Sequence, residues 1–412
     1  MKPLGEAQAV VLDTVSPLPV VSVPLGECLG LALAEAVVAG HDLPPFANSA
    51  VDGYAVRVGD VVAVPVELHV VGNVAAGSVP LTAVTPGSAV KVMTGALLPD
   101  GAEAVVRVED TETADGVVRI LVSVPSGLAI RPAGGDVPAG TEVMAAGERL
   151  AAAHLGVLAS LGVSAPRVRR RPVVALLSTG DELVPVETVD LSGGLIRDAN
   201  RSTLAALITD AGAVVVDHGI VGDDPQRLRR VLDEAAGSAD VIVSSGGVSM
   251  GDHDVVKEML IDLGTVDFWQ VAMQPAKPLG FGSVDGVPFF GLPGNPVSVY
   301  VAFEQFVRPA LLTMLGAAAV FRPRVRGVLD DGASTDPAKT VFLRTVAAPD
   351  PTGAWHARSA GGQASNVLSA MAAANAFAVI PVGCSDVAAG AAVDLELFTV
   401  PSTRTRREVL GG

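Results

Sequence analysis

Apolar and polar positions alternate in blocks between residues 173 and 315, and these blocks predict strands that alternate with helices. Strands are expected at five apolar runs: 173–178, 213–217, 240–245, 266–271 and 288–292. Helices are expected at four segments with helical spacing: 201–211, 225–236, 255–263 and 297–315. This alternation is typical of a mostly parallel sheet that is covered on both faces. We therefore expect an open α/β domain at residues 171–316.

The N-terminal part of the chain has a different pattern. Residues 6–39 predict a helix, a connector broken by proline, and a second helix at 25–38. Helical spacing returns at 150–161, and the basic, proline-bounded stretch 167–172 is interpreted as a solvated linker. We expect one helical N-terminal domain built from residues 1–40 and 141–170.

Residues 41–140 separate these two helical pieces and are rich in strand and turn chemistry. Short valine-rich runs are punctuated by Gly, Pro and Asp, as at 61–71, 89–93 and 117–124. We expect an elongated β-rich domain at 41–140, inserted into the helical domain. Residues 317–412 alternate short strands with glycine turns, which predicts a C-terminal β-barrel or sandwich. The fold class is therefore multi-domain α/β plus β.

Composition excludes several classes of function. A formal net charge of −16 makes the chain of 412 residues a poor general binder of nucleic acid. Its two cysteines, Cys28 and Cys384, form no metal-ligand motif and are expected to be reduced thiols. The apolar stretch 367–384 is interrupted by Asn375, Pro381 and Gly383, so it predicts a helix and a strand instead of a membrane span. No secretory signal is visible, and we expect a cytoplasmic protein without nucleic-acid or membrane partners.

Unusual residues concentrate where the predicted strands end. Glycine and serine loops follow three strands, at 178–183, 244–254 and 291–298. Such loops present backbone N–H groups to anions, and ligands of α/β sheets bind at the carboxyl ends of the strands. Five carboxylates accompany the loops: Asp181, Glu182, Asp223, Asp252 and Asp254. Any one loop alone is better explained by a tight turn or a helix cap, but three together favour a phosphate or nucleotide site with a divalent cation.

Two further segments with unusual residues lie outside the α/β domain. Residues 44–55 read Pro-Pro-Phe-Ala-Asn-Ser-Ala-Val-Asp-Gly-Tyr-Ala, and residues 91–99 contain Met-Thr-Gly-Ala. Each alone is compatible with an ordinary turn. Together with the strand-end loops, the chain resembles the MoeA family and the related E domain of gephyrin-type proteins. The matching blocks follow the family order: 44–57, 93–110, 178–183, 244–251, 277–278 and 291–298.

The resemblance implies a molybdopterin molybdenumtransferase, which converts molybdopterin-AMP and molybdate to molybdenum cofactor and AMP with Mg²⁺. The implied catalytic residues, the last three of which would hold the metal, are Asp52, Thr94, Glu182, Asp223 and Asp254. The implied substrate-binding residues are Ser245, Gly246, Gly247, Ser249, Lys277, Pro293, Gly294, Asn295, Ser298, Arg344 and Ser365. Arg344 and Ser365 match the positions for molybdate, although Arg344 fits a surface strand equally well. For Asp52 we infer a role in orienting the attacking oxygen of molybdate or water.

The chain also departs from better-known members of the family. Gln270 and Gln274 stand where those members have lysine, and Gly135 replaces a glutamate. These changes bear on anion affinity more than on the type of reaction.

The resemblance further implies a homodimer in which Asp52 serves the partner subunit's site, and an interaction with a MogA-type adenylyltransferase. Two alternative functions remain at this point. One is adenylylation of molybdopterin by a MogA-like enzyme, and the other is a scaffold like the gephyrin E domain. The first would need neither residues 41–140 nor the C-terminal domain, and the intact carboxylates argue against the second.

Overall fold

A six-stranded sheet forms the centre of the computed structural model, which describes residues 1–222, 224–246 and 266–399. Its strands in spatial order are Val214–Ile220, Val173–Ser178, Val241–Ser245, Val287–Leu292, Pro278–Val284 and Val266–Gln270. Of these six, Pro278–Val284 is the one that runs antiparallel to its neighbours. All five predicted strands are confirmed, and the mostly parallel α/β sheet with them. The antiparallel strand was not predicted, although Asp285 and Gly286, both with positive φ, form the turn that ends it.

Helices cover this sheet close to the predicted positions. They are Ala199–Asp210, Pro225–Ser238 and a continuous run made of Pro296–Ala302, the π-turn Phe303–Val307 and Arg308–Met314. Asp198 and Asp224 cap the first two by accepting backbone N–H bonds. The long run is buried almost throughout, as its apolar sequence requires. The helix expected at 255–263 lies outside the described residues.

The N-terminal helix Leu4–Thr14 packs on the α/β domain, because Ala7 and Val11 are buried in the core that also contains Val174 and Phe306. The second helix expected at 25–38 is wrong: the structure has only a 3₁₀ turn at Leu25–Glu27 and a short strand at Val37–Val38. Backbone bonds with residues 148–150 replace helical bonds here, since Leu33 donates to Glu148 and Leu150 donates to Leu31.

Two short ladders join the chain on either side of the insertion. Val20–Ser22 pairs with Arg167–Arg169, and Val37–Val38 pairs with Glu142–Met144. The predicted helix at 150–161 is confirmed as Ala152–Ser160. The stretch interpreted as a linker is instead a strand at its start, and Val168 is fully buried there. The strand was not recognised in the sequence because Arg167 and Arg169 lie on either side of Val168, its one apolar residue.

The insertion is rich in β-structure, as predicted, and has a core of its own. Its six-stranded sheet has the order Ala104–Arg107, Gly53–Val56, Ser88–Val92, Val66–Val74, Val117–Ile120 and Thr111–Ala114. The two apolar clusters that pack against this sheet are drawn from residues 51–130 alone. The β domain is thus stabilised independently of the α/β domain.

The C-terminal domain is a closed β-barrel, which decides between the two predicted alternatives. Its five strands in order are Thr340–Pro349, Trp355–Ser359, Arg324–Leu329, Ala391–Leu397 and Ala376–Ile380, and the last pairs with the first. The predicted helix and strand within 367–384 are confirmed as Leu368–Ala373 and Ala376–Ile380. A short strand of the α/β domain, Met273–Gln274, joins the barrel in parallel beside Thr340–Val341. This shared ladder fixes the barrel against the central sheet.

Smaller elements complete the described chain. Further strands are Asn48–Ser49 with Ile130–Arg131, Leu183–Val184 with Ile196–Arg197, and Ala333–Ser334 with Asp386–Val387. Further 3₁₀ turns are Val58–Val61, Val108–Asp110 and Ser192–Gly194. Among the helices described, none combines the length and apolar character needed to cross a membrane.

Candidate active site

The strand-end loops meet at one edge of the central sheet. The backbone N–H of Thr179 donates to the carbonyl of Ser245 at 3.0 Å, and that of Gly246 donates to Leu292 at 3.1 Å. Gly246 has a φ of +89°, and a Cβ there would lie 2.5 Å from the carbonyl oxygen of Thr179. Only glycine allows this close approach. The ends of the three strands therefore lie side by side, whereas the second loop beyond Gly246 lies outside the described residues.

A side chain that the sequence did not single out links these loops. Asn200, in the first turn of Ala199–Asp210, donates from Nδ2 to Ser245 Oγ at 2.9 Å and to the Gly294 carbonyl at 2.7 Å. Asp198, the buried cap two residues before Asn200, marks the helix start in the sequence and could have pointed to this position. Asn200 thus fixes the Gly294 loop relative to the strand that ends at Ser245.

The same edge contains three buried hydroxyl groups that have no partner within the described chain. The side-chain oxygens of Ser178, Thr179 and Ser244 are buried and, within the described chain, make no hydrogen bond. An unsatisfied buried hydroxyl costs about 1–3 kcal/mol. Glu182 lies beside them and is exposed, with its carboxylate folded back to within 2.5 Å of where a Cβ on Gly180 would be. The edge therefore offers polar groups suited to a phosphate-bearing ligand.

A pocket of about 280 Å³ lies in the seam between this sheet and the barrel. It collects five of the predicted substrate-binding residues: Lys277, Pro293, Asn295, Ser298 and Ser365. The barrel loop is tied directly to the helix start, since the backbone N–H of Val297 donates to the Ser365 carbonyl at 3.1 Å. The pocket thus combines a lysine, a buried serine and the first turn of a helix, all of which favour an anion.

Arg344 lines a second cavity of about 210 Å³, which shares Gln274, Pro275 and Gln363 with the seam pocket. Its side chain is fully buried, so the alternative of a surface strand residue is wrong. Nη2 donates to the carbonyls of Gly362 at 2.7 Å and Ala364 at 3.2 Å, whereas Nε and Nη1 have no partner in the described chain. Burial lowers the pKa of this guanidinium. A buried guanidinium whose Nε and Nη1 have no partner in the described chain strongly attracts an anion.

Gln270 and Gln274, the two positions singled out as departures from the family pattern, are not equivalent. Gln274 is exposed and lines both cavities. Gln270 lies at the end of the edge strand, where its carbonyl accepts the backbone N–H of Lys2 at 2.8 Å. The departure at position 274 is therefore the one that bears on the pocket.

Asp52 and Thr94 form a separate polar pair in the β domain. Asp52 Oδ1 accepts the backbone N–H of Thr94 at 2.6 Å and its hydroxyl at 2.7 Å. These two bonds, aided by the charge of Lys91, lower the pKa of the exposed Asp52 carboxyl. The described lining of the seam pocket comes entirely from residues 273–365, so Asp52 and Thr94 are not brought to it within this chain.

Close packing explains the glycine that follows Asp52. A Cβ on Gly53 would lie 2.2 Å from the carbonyl oxygen of Val106, on the neighbouring strand. We expect Gly53→Ala to destabilise the β domain by about 1–3 kcal/mol or more, because the two strands must separate. Thermal unfolding will measure this loss. Gly59→Ala, at a position with no neighbour within 4 Å, is the control and should leave the melting temperature nearly unchanged.

The Asp52–Thr94 pair predicts a shift in pH dependence. In Thr94→Val the hydroxyl bond is lost while the backbone bond remains, so the pKa of Asp52 should rise toward its ordinary value. The carboxylate is then protonated at a higher pH on acidification, and the acid limb of the activity profile should move up in pH. Carboxyl ¹³C NMR titration and kcat/KM profiles will test this, with Thr94→Ser as the control that keeps the hydroxyl. An unchanged Asp52 titration in Thr94→Val would contradict it.

Several predicted residues lie outside the described part of the chain: Asp223, Gly247, Ser249 and Asp254. Two of the three predicted metal ligands are in this group. Within the described residues, no group of three His, Cys, Asp or Glu side chains could hold a metal ion. The magnesium site at Glu182, Asp223 and Asp254 stays a prediction.

Three family models match the chain in sequence. They are described as the MoeA N-terminal region (domain I and II) at residues 2–162, a probable molybdopterin binding domain at 175–313, and the MoeA C-terminal region (domain IV) at 326–398. Together they cover the β domain, the α/β domain and the barrel.

Curated relatives and solved structures agree with these models. Molybdopterin molybdenumtransferase 2 of Mycobacterium tuberculosis is 39% identical over 401 residues, which cover 95% of this chain and 98% of the relative. The molybdopterin molybdenumtransferase of Nostoc is 37% identical, covering 88% and 85%. The crystal structure of a MoeA protein from Pyrococcus horikoshii has a TM-score of 0.82 at 29% identity, covering 97% of this chain and 100% of that chain. The chain therefore belongs to the MoeA family of molybdopterin molybdenumtransferases.

Proposed function

We propose that this protein inserts molybdenum from molybdate into adenylylated molybdopterin and releases AMP, the last step of molybdenum cofactor synthesis. One observation carries the proposal beyond family membership. The seam pocket and the Arg344 cavity bring Lys277, Ser298, Ser365 and a buried guanidinium together without a carboxylate paired to that guanidinium in the described chain. This suits a small tetrahedral dianion such as molybdate.

In this proposal the two substrates bind at adjacent sites. The strand-end edge, with Ser245, Gly246 and the buried hydroxyls, would bind the pterin phosphate and the adenylate. Molybdate would lie in the seam beside it, held by Arg344, Lys277 and Ser365. Mg²⁺ at Glu182, Asp223 and Asp254 would offset the phosphate charge. The protein itself supplies position and charge compensation for two anions that otherwise repel each other.

The catalytic role of Asp52 requires a second subunit in this proposal. The β domain has its own core, and Asp52 does not line the seam pocket in the described chain. In a two-fold homodimer, the β domain of one protomer would reach the α/β domain of its partner and form two equivalent sites. The substrate would come from a MogA-type adenylyltransferase.

The test is a reconstituted reaction. Purified protein should convert molybdopterin-AMP to active cofactor only with molybdate and a divalent cation, and AMP should appear in step with cofactor. Incubation with molybdopterin and ATP is the parallel arm for the adenylyltransferase alternative. Efficient adenylylation there, without any molybdate-dependent step, would overturn the proposal. Inactivity in both arms would favour a scaffold.

A further inference from the structure

Lys339, a barrel residue, lies in the wall of the seam pocket together with Gln274 and Lys277. Backbone pairing fixes this placement, because Met273 and Gln274 lie beside Thr340 and Val341 in the shared parallel ladder. The backbone N–H of Thr340 also donates to the Ala272 carbonyl at 2.9 Å. Position 339 is thus held next to the strand that carries Gln274.

A short turn positions the Lys339 side chain, which is 20% exposed. Its Nζ lies 2.7 Å from Asp336 Oδ2, while Asp336 Oδ1 accepts the backbone N–H of Ala338 at 2.9 Å. The pKa of Asp336 is lowered first by its bond from Lys339 and also by the charge of Lys277. Two lysines therefore act on one carboxylate, and the pocket wall keeps an excess of positive charge.

Position 274 explains why an additional cation is needed here. Gln274, which lines both cavities, offers an amide there and no positive charge. A dianion in the seam would then have Lys277 as its one cation from that loop, since an amide offers a weaker bond than an ammonium group.

We propose that Lys339 is an oxyanion-binding residue that supplies, from the barrel, the charge missing at position 274. Asp336 keeps the ammonium group at the pocket when no anion is bound. The inference rests on the proposed function, which places molybdate in this seam. Lys339 belongs to the barrel and lies outside the strand-end loops.

Calorimetric titration of the full-length protein with molybdate at low and high salt tests the proposal. Lys339→Gln should weaken binding about tenfold or more and reduce its salt dependence, since one charged contact is lost. In turnover assays the same variant should raise the KM for molybdate more than it lowers kcat. Adding Gln274→Lys to Lys339→Gln should restore affinity and salt dependence, a rescue that a purely structural lysine would not show.

The matched control is Arg326→Gln, which removes a barrel cation that also pairs with an aspartate, at 2.8 Å from Asp394. Thermal unfolding will confirm that all variants are folded. If wild type binds molybdate and Lys339→Gln binds it equally well, the Lys339 proposal is wrong while the proposed function stands. If wild type turns over but the double variant binds molybdate no more tightly than Lys339→Gln, a lysine at position 274 cannot replace Lys339, and that part of the proposal is wrong. If wild type binds no molybdate, the placement of the anion in the seam falls, and the Lys339 proposal with it.

Discussion

An equal mixture of Asp52→Ala and Glu182→Gln proteins, each inactive alone, is expected to recover about a quarter of wild-type activity once subunits exchange. The reason is geometric: if Asp52 serves the partner's site, a mixed dimer has one site with both defects and one intact site. Random exchange makes about half of the dimers mixed, and each contributes one of its two sites. Each single variant should lose activity by about a hundredfold or more, because Asp52→Ala removes the group that orients the attacking oxygen and Glu182→Gln removes a proposed metal ligand.

The control for this experiment is a mixture of two preparations of Asp52→Ala with different tags, which verifies exchange and should stay inactive. If exchange is complete and the test mixture also stays inactive, Asp52 and Glu182 serve the site of one chain. The separate core of the β domain would then have to be explained by a movement of that domain within the protomer.

Arg344→Lys is expected to weaken molybdate binding by about 10- to 100-fold while the protein stays folded. Lysine keeps a positive charge but cannot reproduce the planar set of donors, of which one nitrogen is used by Gly362 and Ala364 and two are free in the described chain. Loss of one or two charge-assisted bonds has this magnitude. The effect should exceed that of Lys339→Gln, because Arg344 is fully buried and less screened by solvent.

Thermal shift measurements with increasing molybdate will separate binding from stability. Wild type should melt at progressively higher temperature as the anion binds the native state, and Arg344→Lys should need far more anion for the same shift. Arg358→Lys on the exposed face of the barrel strand Trp355–Ser359 is the control. Equal molybdate-dependent shifts in wild type and Arg344→Lys would exclude Arg344 from the oxyanion site.

The α/β domain was the most predictable part of the fold, because its strands are apolar throughout and its helices have clear caps such as Asp198 and Asp224. The N-terminal domain was the least predictable. Leu31 and Leu33 have helix-forming side chains, yet their backbone groups pair with residues more than a hundred positions away. The secondary-structure propensity of single residues carries no information on such long-range pairing. The short strand Arg167–Arg169 was missed for the same reason.

The candidate site shows a similar division. Residues such as Gly246 and Ser298 could be singled out from the sequence because glycine-rich strand ends are recognisable in it, and their substrate-binding roles stay predictions. Arg344 could not be assigned from sequence alone, since burial of a strand arginine depends on barrel closure. Lys339, which lines the pocket, and Asn200, which bonds two strand-end segments, were not singled out because each comes from a neighbouring element, one through a two-residue ladder and the other through a helix start. Their residue types are ordinary at those positions.

The shared ladder at Met273–Gln274 has a consequence for how this architecture can be inherited. Nine of the described lining residues of the seam pocket lie within residues 273–298 and four within residues 339–365, and the two segments are joined by the two-pair ladder and by the bond from Val297 to Ser365. A genetic crossover between these segments would combine a barrel and a sheet whose ladder residues come from two different proteins. Chimaeras with relatives should therefore keep their function when residues 273–365 are exchanged as one block. Exchange of the barrel alone should produce folded proteins whose pocket walls no longer match.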